Sequence, residues 1–142
     1  MSKFAKFMKA NKIVKENEMH AVTKSLCDET GEPLEWEFRH ITSKENEAIQ
    51  QACTKEVPVS GKPALYRSQM DYSEYTRRLI VASVVTPDLM DAELQDSYGV
   101  KKEGDLLMAM VDDPGEYSDL ATYVQKLQGF KAFEEEVKEA KN

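Results

Sequence analysis

In the stretch PLEWEFRHI, Leu34, Trp36 and Phe38 alternate with Glu35, Glu37 and Arg39, giving one apolar and one charged face at the period of a strand. The run EMHAVTKSLC precedes it, and the turn-rich DETGE between the two predicts a β-hairpin. From Thr42 the period lengthens. Thr42 and Glu45 form a capping-box pattern, after which Ala48, Ile49, Ala52 and Cys53 share one side of a helix. VPVSGKP interrupts this at Pro58, Gly61 and Pro63 and reads as a loop. Asp71 and Glu74 repeat the capping pattern ahead of YSEYTRRLIVASVV. Tyr72, Tyr75, Leu79 and Ala82 can line one side of that helix, while Ile80, Val81, Val84 and Val85 extend its burial nearly all round. Pro87 disfavours helical geometry in the residue before it, so the helix should stop near Thr86.

Beyond it, Thr86 is expected to cap a new helix with Pro87 at its first position, and Gly99 to end that helix. A short helix over about Glu103 to Val111 follows, weakened by Gly104. DDPG then turns the chain into an amphipathic helix bearing Tyr117, Leu120, Ala121, Val124 and Leu127, closed by Gly129. FKAFEEEVKEAKN reads as a charged C-terminal helix. The expected fold is α+β, an N-terminal β-hairpin packed on a predominantly helical single domain of four to five helices. Residues 1–18 form a basic arm, 19–130 the domain and 131–142 a charged helix or tail.

Composition narrows the function. At 142 residues, one domain can bury about two thirds of its unfolded surface. A formal charge of −7 opposes binding to phosphate backbones, since that affinity comes mainly from lysine and arginine releasing counterions. Lys3, Lys6, Lys9, Lys12 and Lys15 form one local basic patch, but three-residue spacing smears them around a helix axis, unlike a membrane-surface helix. The arm reads instead as frayed or docked on a partner. The chain has no bilayer-length apolar run and no secretory h-region. Cys27 and Cys53 fit a reducing cytosol as small buried hydrophobes rather than a bridge.

Candidate chemistry is sparse. His20, Cys27, His40 and Cys53 lack the close spacing by which one turn supplies two metal ligands. No nucleophile motif and no phosphate-cradling glycine loop appears, so neither catalysis nor a cofactor is expected. AELQDSYGVKKEGDLLMAM has the outline of a helix-turn-helix. Aligned on Gly99, however, it puts Gln95 and Asp105 where a small and an apolar residue belong, and only Lys101 and Lys102 could reach DNA.

The order PLEWEFRHITSKENEAIQQACTK, then VVTPDLMDAELQDSYGV, then LLMAMVDDPGEYSDLATYVQKLQGF resembles the XkdN-like phage tail assembly chaperone family. The likeness runs from about Val22 to Phe130. It is most specific at Trp36, SKENE (43–47), PDLMDAELQDSYGV (87–100) and PGEY (114–117). Asp113 departs from the family pattern, which has an apolar residue there.

The resemblance implies a non-enzymatic helper of tail morphogenesis. It would bind the tape-measure protein and help recruit tail tube subunits in the host bacterial cytoplasm, and it is not expected in the mature virion. Such families often add a longer frameshifted form, and Ala140-Lys141-Asn142 would carry a slippery run if encoded GCA AAA AAC. Nucleic acid and membrane are not expected partners. Methionine thioethers adapt to many shapes, and the expected partner-binding residues are Met90, Leu94, Tyr98, Met108, Met110 and Tyr117, holding an amphipathic helix in a groove. The same methionines would equally well fill a core. The remaining alternative is a small acidic regulator, either a helix-turn-helix DNA binder or a mimic of DNA charge.

Overall fold

The computed structural model describes residues 2–131. The tail and the proposed slip site lie, from residue 132 onward, outside the described residues.

The alternating stretch forms the strand β2 (Glu35–Phe38), with Trp36 and Phe38 buried and Glu35 and Glu37 on the opposite face. It pairs antiparallel with β1 (Glu18–Ala21), from Glu18 opposite Phe38 to Ala21 opposite Glu35. This is the N-terminal hairpin that the sequence predicts. Its connection runs over residues 22–34, and an isolated bridge between Cys27 and Pro33 closes the DETGE turn.

Helix α1 (Ser43–Ala52) opens with the expected capping box. Thr42 accepts from the Glu45 amide and Glu45 accepts from the Thr42 amide.

VPVSGKP is not a plain loop. It is the tip of a second hairpin, β3 (Thr54–Val59) and β4 (Lys62–Met70), whose strands pair with each other alone among the described residues. Proline lacks the N–H that a central strand needs, but both strands of a two-stranded ribbon are edges. Pro58 and Pro63 therefore fit without orphaning a partner.

Helix α2 (Tyr72–Ser83) is capped by Asp71, which accepts from the Glu74 amide. It buries Leu79, Ile80 and Ser83, whereas Tyr72, expected on the apolar side, is 74% exposed. The helix stops at Ser83, three residues earlier than expected. Val84–Thr86 becomes the strand β5, pairing with the free edge of β2 at Phe38–Val84 and Glu37–Thr86. Here β-branched residues satisfy a sheet edge instead of extending a helix. Thr86 therefore caps nothing. The next helix, α3 (Ala92–Ser97), starts five residues beyond Pro87 and is capped by Asp91 through the Leu94 amide.

Gly99, at φ +69°, reverses the chain after α3 in a conformation that costs a side-chain-bearing residue energy. Helix α4 (Glu103–Met110) and helix α5 (Pro114–Leu127) complete the five α-helices among the described residues. In DDPG, Asp113 caps α5 through the amides of Gly115 and Glu116 with Pro114 at the first helical position, so the departure from the family pattern starts a helix. One core joins the three-stranded sheet to α2, α4 and α5 through Trp36, Phe38, Ile80, Leu106, Leu120 and Val124, among others.

Candidate partner-binding surface

The residues that carry the family resemblance are mostly occupied inside the fold. Glu116 of PGEY accepts from the Thr23 hydroxyl at 2.7 Å and from the Lys24 amide at 2.8 Å, clasping the chain after β1 to the first turn of α5. Glu45 of SKENE accepts a forked pair of bonds from the Arg39 guanidinium. That partner and the Thr42 amide hold its carboxyl at about 2, well below the usual range. Asn46 accepts from the Tyr75 hydroxyl. Gln95 donates to the Leu89 carbonyl at 2.8 Å, bracing the turn ahead of α3.

The expected partner-binding residues do not form one exposed set. Met110 is core, and Leu94, Tyr98 and Tyr117 are half-buried against that core. Only Met90 at 68% and Met108 at 38% exposure face solvent. Core filling thus accounts for most of the apolar positions in this stretch. The helix-turn-helix outline fails for a related reason. Helix α4 buries Leu106, Leu107 and Met110, and its exposed positions include Asp105 and Met108, a poor match to phosphate.

Nor are the notional metal ligands gathered. Among the described residues no three His, Cys, Asp or Glu side chains are placed to hold an ion. His20 stacks on Tyr123 with ring centroids 3.8 Å apart. Cys53 is buried, and that burial raises its thiol pKa, whereas Cys27 is exposed, against expectation, and donates to the Lys24 carbonyl. No helix among the described residues is long and apolar enough to cross a membrane.

Four surface features remain. The first is the ribbon. Lys55, Val57, Leu65, Arg67 and Gln69 share one of its faces by strand alternation and register, and Leu65 and Tyr66 are more than half exposed. The second is the N-terminal arm, where two short 3-10 turns leave Phe4, Phe7, Met8, Ile13 and Val14 in solvent.

The third is a cleft of about 660 Å³ between β1 and α5. Its walls include Val22, Leu120 and the stacked His20–Tyr123 pair. Burial, reinforced by donation to Glu18, pushes the Tyr123 phenol up to about 12. A further hollow between α2 and α4 has mixed charge, Arg77, Arg78 and Lys102 facing Glu74, Glu103 and Asp105. Gly104, which looked like a flaw in α4, is where the Arg77 stem crosses the helix: a Cβ there would lie 3.2 Å from Arg77 Cδ.

The ribbon escapes sequence reasoning as a surface, whereas the arm already reads there as frayed or docked on a partner. The only signal was apolar residues without helical or strand-paired company.

A family model described as the phage XkdN-like tail assembly chaperone protein matches residues 4–141. The chain belongs to this family. Membership fixes the general role, a phage tail assembly chaperone. The fold is similar to that in the crystal structure of the protein YqbN, a structural genomics target. The TM-score is 0.74 at 18% identity, covering 92% of this chain and 99% of that one. No curated protein matches the chain.

Proposed function

We propose that this tail assembly chaperone binds the tape-measure protein of its phage and helps recruit tail tube subunits, without catalysis and without a cofactor. The observation that carries the reading is the family match across nearly the whole chain. Such a role needs surfaces that take up apolar helices reversibly, and the described residues supply them as exposed apolar side chains on extended features instead of as a deep pocket. The β3–β4 ribbon and the exposed Met90 and Met108 are the surfaces we assign to the tape measure. An isolated two-stranded ribbon is marginal in water, so a partner laid along it gains packing that the ribbon lacks alone. The chaperone acts in the host bacterial cytoplasm and leaves before the virion is finished.

Co-expression with the tape-measure protein of the same phage tests this. Soluble tape measure that co-purifies with several copies of the chaperone is the expected result. Tape measure that stays insoluble and unbound, even with any frameshifted form supplied, would overturn the reading. Leu65→Glu with Tyr66→Glu, compared with Met90→Glu and Met108→Glu, separates the ribbon from the methionines.

A further inference from the structure

Five of the fourteen exposed large apolar side chains among the described residues, Phe4, Phe7, Met8, Ile13 and Val14, fall in the N-terminal arm. Phe7, Ile13 and Val14 are each at least 84% exposed. The hydrogen bonds of residues 2–15 run within the arm itself, among them Asn11 Nδ2 to the Ala5 carbonyl at 2.7 Å. The first tie to the body is Asn17 Nδ2 donating to Glu37. An extended tether over residues 12–17 joins the two, with a reach of up to ~20 Å.

Charge divides in the same way. Residues 1–15 of the arm hold five lysines and no carboxylate, so with a chain total of −7 the other 127 residues carry −12. The β1–α5 cleft has the complementary chemistry. Ala21, Pro33 and the stacked His20–Tyr123 pair supply the accessible apolar wall over the buried Val22 and Leu120, Asp113, Glu116 and Asp119 line it, and Lys24 and Lys126 offset only part of that charge.

We propose that the arm of one copy docks in the β1–α5 cleft of a second copy, its phenylalanines against the apolar wall and its lysines toward Asp113 and Asp119. The body charge selects this occupant over an anionic bilayer or nucleic acid, either of which would attract the arm and repel everything attached to it. Reciprocal exchange closes a dimer; head-to-tail exchange builds an open array. The inference does not rest on tape-measure binding, which the wild-type co-purification tests separately.

Two double variants at exposed positions test it: Phe4→Asp with Phe7→Asp spoils the arm, and Asp119→Lys with Thr122→Arg spoils the cleft. Sedimentation velocity at concentrations on the order of 1–100 µM should show wild-type protein associating and each variant remaining monomeric. An equimolar mixture of the variants should regain association, because it contains one intact arm and one intact cleft. Recovery in the mixture also shows that both variants fold. Carbodiimide cross-linking of mixed ¹⁴N and ¹⁵N wild-type protein should join arm lysines to Asp119 across isotopes. Wild-type protein that stays monomeric overturns the proposal. So do variants that associate like wild type, folded variants whose mixture stays monomeric, and cross-links confined to one isotope.

Discussion

Gln128 sits just past the end of α5 and joins three segments far apart in sequence. Its Oε1 accepts from the Ile41 amide at 2.9 Å. Its Nε2 donates to the Arg39 carbonyl at 3.0 Å and to Ser83 Oγ at 2.9 Å. Ser83 is fully buried and donates its own hydroxyl hydrogen bond to the Leu79 carbonyl. Arg39 in turn donates from its backbone to the Ser83 carbonyl and from Nε to the Ala82 carbonyl, closing the end of α2. One amide side chain thus satisfies two groups of the β2–α1 connection, at Arg39 and Ile41, and one of α2, at Ser83.

Gln128→Ala leaves the Ile41 amide without its acceptor, which costs about 1–3 kcal/mol, and removes two donations worth about 0.5–1.5 kcal/mol each. Ser83 keeps its bond to Leu79, and water can reach the half-buried site, so the lower part of the combined range applies, about 2–4 kcal/mol. Urea unfolding followed by circular dichroism reads this as a lower midpoint at unchanged slope, and heating as a loss on the order of 10 °C. Gln128→Glu is the sharper probe. The carboxylate can still accept from Ile41 but has no proton for the Arg39 carbonyl, so it should recover little. A Gln128→Ala protein within about 0.5 kcal/mol of wild type would show that solvent replaces all three bonds and that the junction is not held here.

Other consequences follow from single groups. Glu45, depressed to about 2 from an ordinary 4.5, contributes stability that is complete above about pH 4.5 and is lost as pH falls toward 2. Its side chain is 39% exposed, so solvent screening holds the effect to about 1 kcal/mol, and Glu45→Gln should flatten that limb of an acid titration followed by fluorescence. Tyr123 runs the other way: its phenol, raised from 10 to about 12, contributes stability that is complete below about pH 10 and fades as pH passes 12. Burial also raises the Tyr75 phenol, so ultraviolet titration should show late tyrosines among the six, with the Tyr123 step absent in Tyr123→Phe. Asp113→Ala should cost about 1 kcal/mol in thermal melts by removing the α5 cap. Gly99→Ala should cost about 1–2 kcal/mol by the same assay, through strain at positive φ.

The sequence shows most of the fold because most of its signals are local. Thr42 with Glu45 and Asp71 with Glu74 mark helix starts through bonds that span three residues, and Trp36 and Phe38 announce a buried strand face by period alone. The failures occur where a distant element decides. Val84 and Val85 suit a helix that buries all round, but the open edge of β2 claims them as a strand. Thr86 and Pro87 make a plausible helix start until sheet pairing uses Thr86 and leaves Asp91 to cap. The prolines that mark 57–63 as a loop are compatible with a ribbon only because both its strands are edges, which no local pattern reveals. For the partner site, Met110 and Met90 look alike in sequence, yet core packing takes one and leaves the other.

These assignments separate stability from recognition in a way that mutation can resolve. Trp36, Glu45, Gln95 and Glu116, among the residues most specific to the family likeness, are used in core packing, a helix start, a turn and a clasp between distant segments. Substituting them should lower the melting temperature, with any loss of partner binding following from unfolding. Leu65 and Tyr66 stand at 53% and 58% exposure on a ribbon outside the core, so Leu65→Glu with Tyr66→Glu removes little buried apolar area. That double variant should melt within about 0.5 kcal/mol of wild type. It should also co-purify with much less tape measure, as measured by the ratio of the two bands after pull-down. A variant that melts as wild type and binds as wild type would remove the ribbon from the proposed surface and leave Met90 and Met108 to carry it.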